Sequence, residues 1–125
     1  MKIILIGIIF SLLSISPSQA HHSGAIFNHT EIITLNGIIK ELHFSPPHVL
    51  LDILIRTKTG SIELWRIEAE SPRMMSRIGL NRKTLKAADS IIIRAHPLKN
   101  GRNGGSYIDI ILDNSRFISS IGKFE

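Results

Sequence analysis

A small, closed, mainly β barrel carrying one short helix is the fold class this sequence predicts, and three observations lead to it. Residues 71–79 (SPRMMSRIG) are the one well-signalled helix, and the runs on either side of it alternate in the manner of strands. Three such runs precede the helix and two follow it. Removing a leader of 20 residues leaves 125 − 20 = 105, enough for one core and too few for two. Five strands with a helix between the third and fourth is the element order of the oligonucleotide/oligosaccharide-binding (OB) fold, in which a helix plugs one end of a small barrel.

The leader is residues 1–20: one basic residue, Lys2, an apolar run over residues 3–13, then Ser18-Gln19-Ala20, a small-x-small cleavage site. The run is shorter than the roughly 20 residues a bilayer span requires. Cleavage after Ala20 is therefore expected, giving a periplasmic or secreted chain with no transmembrane anchor. Residues 21–31 read as an N-terminal arm that Ile26 and Phe27 pin to the core, residues 32–117 as the barrel, and residues 118–125 as a tail.

In the first strand, residues 32–44, Gly37 marks a bulge or sharp bend where one strand serves both halves of a barrel. Pro46 and Pro47 end it, since neither donates a hydrogen bond. Residues 48–56 (HVLLDILIR) point Val49, Leu51, Ile53 and Ile55 inward, and leave Leu50 and Leu54 on an outer face that something covers. A turn at residues 57–60 leads to the third strand, residues 62–69, with Trp65, Ile67 and Ala69 on the core side. Ser71 is the helix N-cap, Pro72 occupies its first position and Gly79 ends it, while Met74, Met75 and Ile78 form the apolar stripe that seals the barrel. After a capped turn over residues 81–88, residues 90–96 turn Ile91, Ile93 and Ala95 inward and Ile92, Arg94 and His96 outward. Residues 100–105 (NGRNGG) are the strongest turn signal, and residues 107–112 form the fifth strand with Ile108, Ile110 and Leu112 inward.

The chain has no cysteine, which excludes disulfides and thiol chemistry even in an oxidising compartment. Only Lys2 leaves with the leader, so the mature charge is 14 Lys/Arg against 10 Asp/Glu, or +4. Its densest patch, Arg73, Arg77, Arg82, Lys83 and Lys86, reads as the solvated outside of the helix region. Nucleic acid is not expected to be the partner of an exported protein, whereas an acidic polysaccharide or lipid headgroup suits a basic surface. Nucleophile-elbow and phosphate-loop patterns are missing. Glu68 and Glu70, two apart on one strand face, have the composition of a hydrolase acid pair, although two solvated or ion-paired acids are the plainer reading.

Histidine carries the most information. All six lie beyond the leader, and cleavage makes His21 the first residue. A free α-amine beside the His21 and His22 imidazoles suits Cu(II) or Ni(II), so copper is the cofactor this N-terminus favours. His48 borders the loop between strands one and two, and His96 the loop between strands four and five; in the OB order these loops share the end where ligands bind. Glu68, Glu70 and Arg94 approach the same rim. The candidate metal set is thus His21, His22, His48 and His96, and the candidate ligand-binding set His48, His96, Glu68, Glu70 and Arg94. The reading placed first is a non-enzymatic periplasmic binding module taking a small ligand, a metal ion or an envelope component at the His48/His96 rim. A copper-binding protein or copper-dependent enzyme using His21 and His22 is the alternative, and an acid-pair hydrolase is the third.

Several short motifs read together support this outline. His21-His22-Ser23, Pro47-His48, Trp65-Arg66-Ile67-Glu68 followed by Ser71-Pro72, and His96-Pro97-Leu98 followed by Gly101 and Gly104-Gly105-Ser106 span the mature chain. In combination they resemble a bacterial family of small secreted proteins catalogued as a domain of unknown function, DUF6152. Gly24 stands where that family usually has an aromatic residue, and Pro46 where its Asn-Pro-His has asparagine. The resemblance implies secretion and a compact β-barrel, and supplies no catalytic residue.

Overall fold

A computed structural model describes residues 24–112 and 117–119 of the chain. The expected leader, and with it His21 and His22, lies outside the described residues. A 3-10 turn, Gly24–Ile26, is followed by β1 (Ile33–His43), β2 (Leu50–Arg56), β3 (Ile62–Glu68), α1 (Pro72–Arg77), β4 (Ser90–Pro97), β5 (Gly104–Leu112) and β6 (Phe117–Ser119). The strands pair in the order β3-β2-β1-β4-β5-β6, and β3 also pairs with β5, which closes five strands into a barrel. The expected fold class is the one found: a closed five-stranded barrel with one short helix between β3 and β4.

One long strand makes closure possible. β1 pairs with β2 through residues 37–43 and with β4 through residues 33–38, so Gly37 faces Ile55 on one side and Ile91 on the other. A Cβ on Gly37 would lie 2.5 Å from the Leu54 carbonyl oxygen, which explains the glycine at this handover. The register irregularity itself falls later, between Ile39 and Glu41. At the opposite seam β3 and β5 run parallel, and a Cβ on Gly105 would meet the His96 carbonyl oxygen at 2.6 Å. β6 takes the far part of the same β5 edge, so residues 118 and 119, read as the start of a tail, belong to paired structure.

The inward faces of β2, β3 and β4 are those the alternation predicts, with Leu51, Ile53, Ile67 and Ile93 fully buried. Three details differ. The helix is capped as expected, the Ser71 hydroxyl accepting from the Met74 N–H at 3.4 Å and Gly79 taking φ +89°. Yet Met75 alone of the two methionines enters the core, with Ile78 packed against it and Leu80 and Leu85 completing the plug. Successive helical residues point about 100° apart, so a six-residue helix cannot turn both toward one barrel. In β5 a bulge matches Arg94 to Asp109 and Ala95 to Tyr107, leaving Ile108 unmatched. Tyr107 and Ile110 therefore point inward and Ile108 is only half-buried. In the arm, Phe27 is buried and bridges to Leu98, whereas Ile26 stays 50 % exposed.

Candidate functional site

Strand pairing sets the rim of the barrel. His43 pairs with Leu50, Leu50 with Glu68, Glu68 with Ser106 and Ser106 with His96, so a single ring of positions runs around one end. His48 precedes β2 at that end, and its Nδ1 lies 2.8 Å from Glu68 Oε1, an ion-pair contact.

The arm folds over this rim. His96 is only 6 % exposed and donates Nδ1–H to the Glu31 carbonyl at 2.7 Å. Its ring meets the His29 ring edge-on, with centroids 4.9 Å apart, and His29 in turn donates Nε2–H to the Gly24 carbonyl at 3.0 Å. Between the arm and the barrel end lies a cleft of about 220 Å³, lined by Gly24, His29, His48, Glu68, Glu70 and Ser106, with Tyr107 at its wall. Burial, reinforced by the nearby Asp109 charge, pushes the Tyr107 phenol well above its ordinary range, so it serves as a neutral hydroxyl.

Of the residues singled out in the sequence, His48, Glu68 and Glu70 line this cleft. His96 stands behind it, touching His29 and paired with Ser106. Arg94 does not line it: its guanidinium is held by Asp109, to which Nε donates at 2.9 and 3.0 Å. Glu68 is engaged by His48, so among the described residues the expected acid pair keeps only Glu70 unengaged by an ion pair. His21 and His22 lie outside the described residues.

A second polar cluster lies beyond the rim on the outer face. The irregularity after Ile39 brings Glu41 opposite Asp52, which in turn pairs with Arg66. Asp52 is 4 % exposed and accepts from Arg66 Nε at 2.7 Å, Arg66 Nη2 at 2.8 Å and His43 Nε2 at 3.2 Å. Arg66, and secondarily His43, holds the Asp52 carboxyl below the usual carboxylate range against the opposing effect of burial. Donor atoms of Glu41, His43 and Asp52 lie within 4.8 Å of one another, the one such group of three among the described residues that could hold a metal ion. The Arg66 guanidinium already engages both oxygens of Asp52. Sequence reading passes over this cluster, although Asp52 is the one acid in an otherwise largely apolar strand, at the outward phase of Leu50 and Leu54. A groove of about 550 Å³ adjoins it, walled by Leu50, Leu64 and Leu98 with Arg66 and Arg102, and shares Phe27 and Glu68 with the rim cleft.

The closure, the plug helix and the polar rim define an OB-type barrel. The sequence pattern of the Family of unknown function (DUF6152) matches residues 11–107, and the chain belongs to that family. No curated protein matches the chain at a significant level. Among solved structures, the crystal structure of the mitochondrial single-stranded DNA binding protein Rim1 from S. cerevisiae is similar, with a TM-score of 0.53 and 12% identity over 66% of this chain and 93% of that one. At that identity the likeness is one of fold alone. No helix among the described residues is long and apolar enough to cross a membrane.

Proposed function

We propose that the mature chain is an exported, non-enzymatic binding module whose ligand sits in the rim cleft against His48, Glu68 and Glu70. The supporting observation is that these three residues, from the β2 approach and the end of β3, line one cleft together with His29, Ser106 and Tyr107. Two carboxylates, two imidazoles and two hydroxyls around about 220 Å³ favour a cation or a small, hydrogen-bonding molecule over an apolar one. Nucleic acid does not suit the barrel: the outward positions of β2 and β3 are Leu50, Asp52, Leu54, Arg56, Ile62, Leu64, Arg66 and Glu68, without an aromatic platform for base stacking. The test is a titration of the ¹⁵N-labelled mature chain with divalent cations, amino acids and mono- and disaccharides, followed by amide shifts. Shifts centred on His48, Glu68, Glu70 and Ser106, and abolished in His48→Ala, support this function. Shifts confined to the helix end, or none with any probe, sink it.

A second reading, copper held by the mature N-terminus, is favoured by the position of Gly24 on the cleft wall. At no more than about 3.3–3.6 Å per residue, a chain that starts at His21 keeps its amine and imidazoles within reach of that cleft. Titration with CuCl2 before and after acetylation of the α-amine tests it: binding that is unchanged by acetylation excludes an amine-based site.

A further inference from the structure

We infer that the cleft is a histidine site for a borderline divalent metal ion, with His96 and His29 as ligands alongside His48. This deepens the proposed function and rests on it. The observation that starts the argument is His96 Nε2, a buried ring nitrogen without a hydrogen-bond partner among the described residues. Buried polar atoms are almost always satisfied, so an orphan on a ring that packs against His29, a residue of the cleft wall, calls for a partner, which a bound ion would supply.

The tautomers strengthen the case. The Glu31 carbonyl, which can only accept, fixes the His96 proton on Nδ1 and leaves Nε2 as a lone pair. The Gly24 carbonyl fixes the His29 proton on Nε2 and leaves Nδ1 as a lone pair. His48 Nδ1 lies beside the Glu68 carboxylate at 2.8 Å, and His48 shares the cleft with His29. His96 and His29 thus each have one nitrogen oriented by a carbonyl, the arrangement that metal-ligating histidines show, and one nitrogen prepared to ligate, while His48 sits against a carboxylate. His29 and His48 line the same cleft, and the His96 ring touches His29 at 4.9 Å between centroids. Imidazole donors suit Zn(II), Cu(II), Co(II) or Ni(II), and would not hold Ca(II) or Mg(II), which take oxygen. No three donors of the cleft lie within 4.8 Å in the ion-free arrangement. Binding therefore draws the exposed His29 and half-buried His48 rings toward His96, and the arm closes with them.

The experiment uses the mature chain carrying His21→Ala and His22→Ala with an acetylated α-amine, which removes the N-terminal chelate. ZnCl2 is titrated by calorimetry, CoCl2 by visible absorption, and the histidine ring nitrogens are followed by ¹⁵N NMR. The inference predicts one metal per chain, a shift of the His96 Nε2 resonance on saturation, and at least a tenfold loss of affinity in His29→Ala and in His96→Gln. His29 is exposed, so His29→Ala reports on ligation even where a change at buried His96 unfolds the chain. His43→Ala, outside the cleft lining, leaves affinity unchanged if the cleft is the site. Binding absent from this chain but present with the native N-terminus, or binding lost in His43→Ala instead, overturns the inference. If neither metal binds while another probe still shifts the rim amides in a His48-dependent way, the metal inference fails and the proposed function stands.

Discussion

Asp52 is nearly buried yet ionised, because Arg66 spans both its oxygens from the next strand. Its carboxyl is held below the ordinary aspartate range, so the folded state binds this proton less readily than the unfolded chain does. The stabilisation is therefore fully present above about pH 4 and is lost as pH falls through the lowered folded value. Urea unfolding between pH 7 and pH 2 should show this acid limb, reduced in Asp52→Asn. Arg66→Ala, which strands a buried acceptor beside a solvent-screened partner, should cost about 1–2 kcal/mol at neutral pH. Tyr107 gives the opposite limb. Its phenol is raised by burial, so its contribution holds below about pH 10 and disappears above it. As Tyr107 is the chain's one tyrosine, absorbance near 295 nm should show no phenolate until the protein unfolds. Neither residue's environment is legible in the sequence, since Asp52 meets His43 and Arg66 across 9 and 14 positions of chain. The outward phase of Asp52 is legible, and its partners are not.

At the scale of elements, local chemistry speaks clearly where it is self-contained. Ser71, Pro72 and Gly79 mark a helix whose cap and termination appear as read, and Gly60 at φ +90° turns the β2–β3 hairpin. What local pattern cannot decide is which side of a two-turn helix faces the barrel, or that β5 gains a residue at Ile108. Both are set by neighbouring strands. The helix allows a sharp comparison: Met75→Ala should cost about 2–4 kcal/mol in chemical unfolding, and Met74→Ala well under half of that, because only Met75 is fully buried. Equal costs would mean that the two methionines share the plug. One member of the basic patch beside the helix has a structural task as well, since Arg82 donates to the Phe44 carbonyl at 2.8 Å and lies over the Phe44 ring. This tie fastens the β1–β2 loop to the segment after the helix.

For the whole molecule, strand count and order suffice to anticipate closure, and one loop pair places His48 and His96 at a common end. The arm's contribution is not legible. His29 carries no spacing relation to His96, and only folding the arm across the rim brings their rings together. Glycines at the seam offer a test of how the rim depends on closure. Gly105→Ala should destabilise by about 1–3 kcal/mol and perturb His96 resonances, because its Cβ would strike the His96 carbonyl. Gly24→Ala, with nothing within 4 Å of its Cβ, should leave stability unchanged. For export, N-terminal sequencing of protein recovered from the cell envelope should begin at His21.

The parallel seam between β3 and β5 spans only three residue pairs, and the last of them joins Glu68 to Ser106. The walls of the cleft thus sit on the least extensive junction of the five-stranded barrel, where partial opening would begin. An occupant held by both walls acts as a clasp on that junction. Amide exchange along residues 104–106 should therefore slow on saturation more than exchange beside the helix, giving a measure of occupancy that works whatever the chemical nature of the occupant.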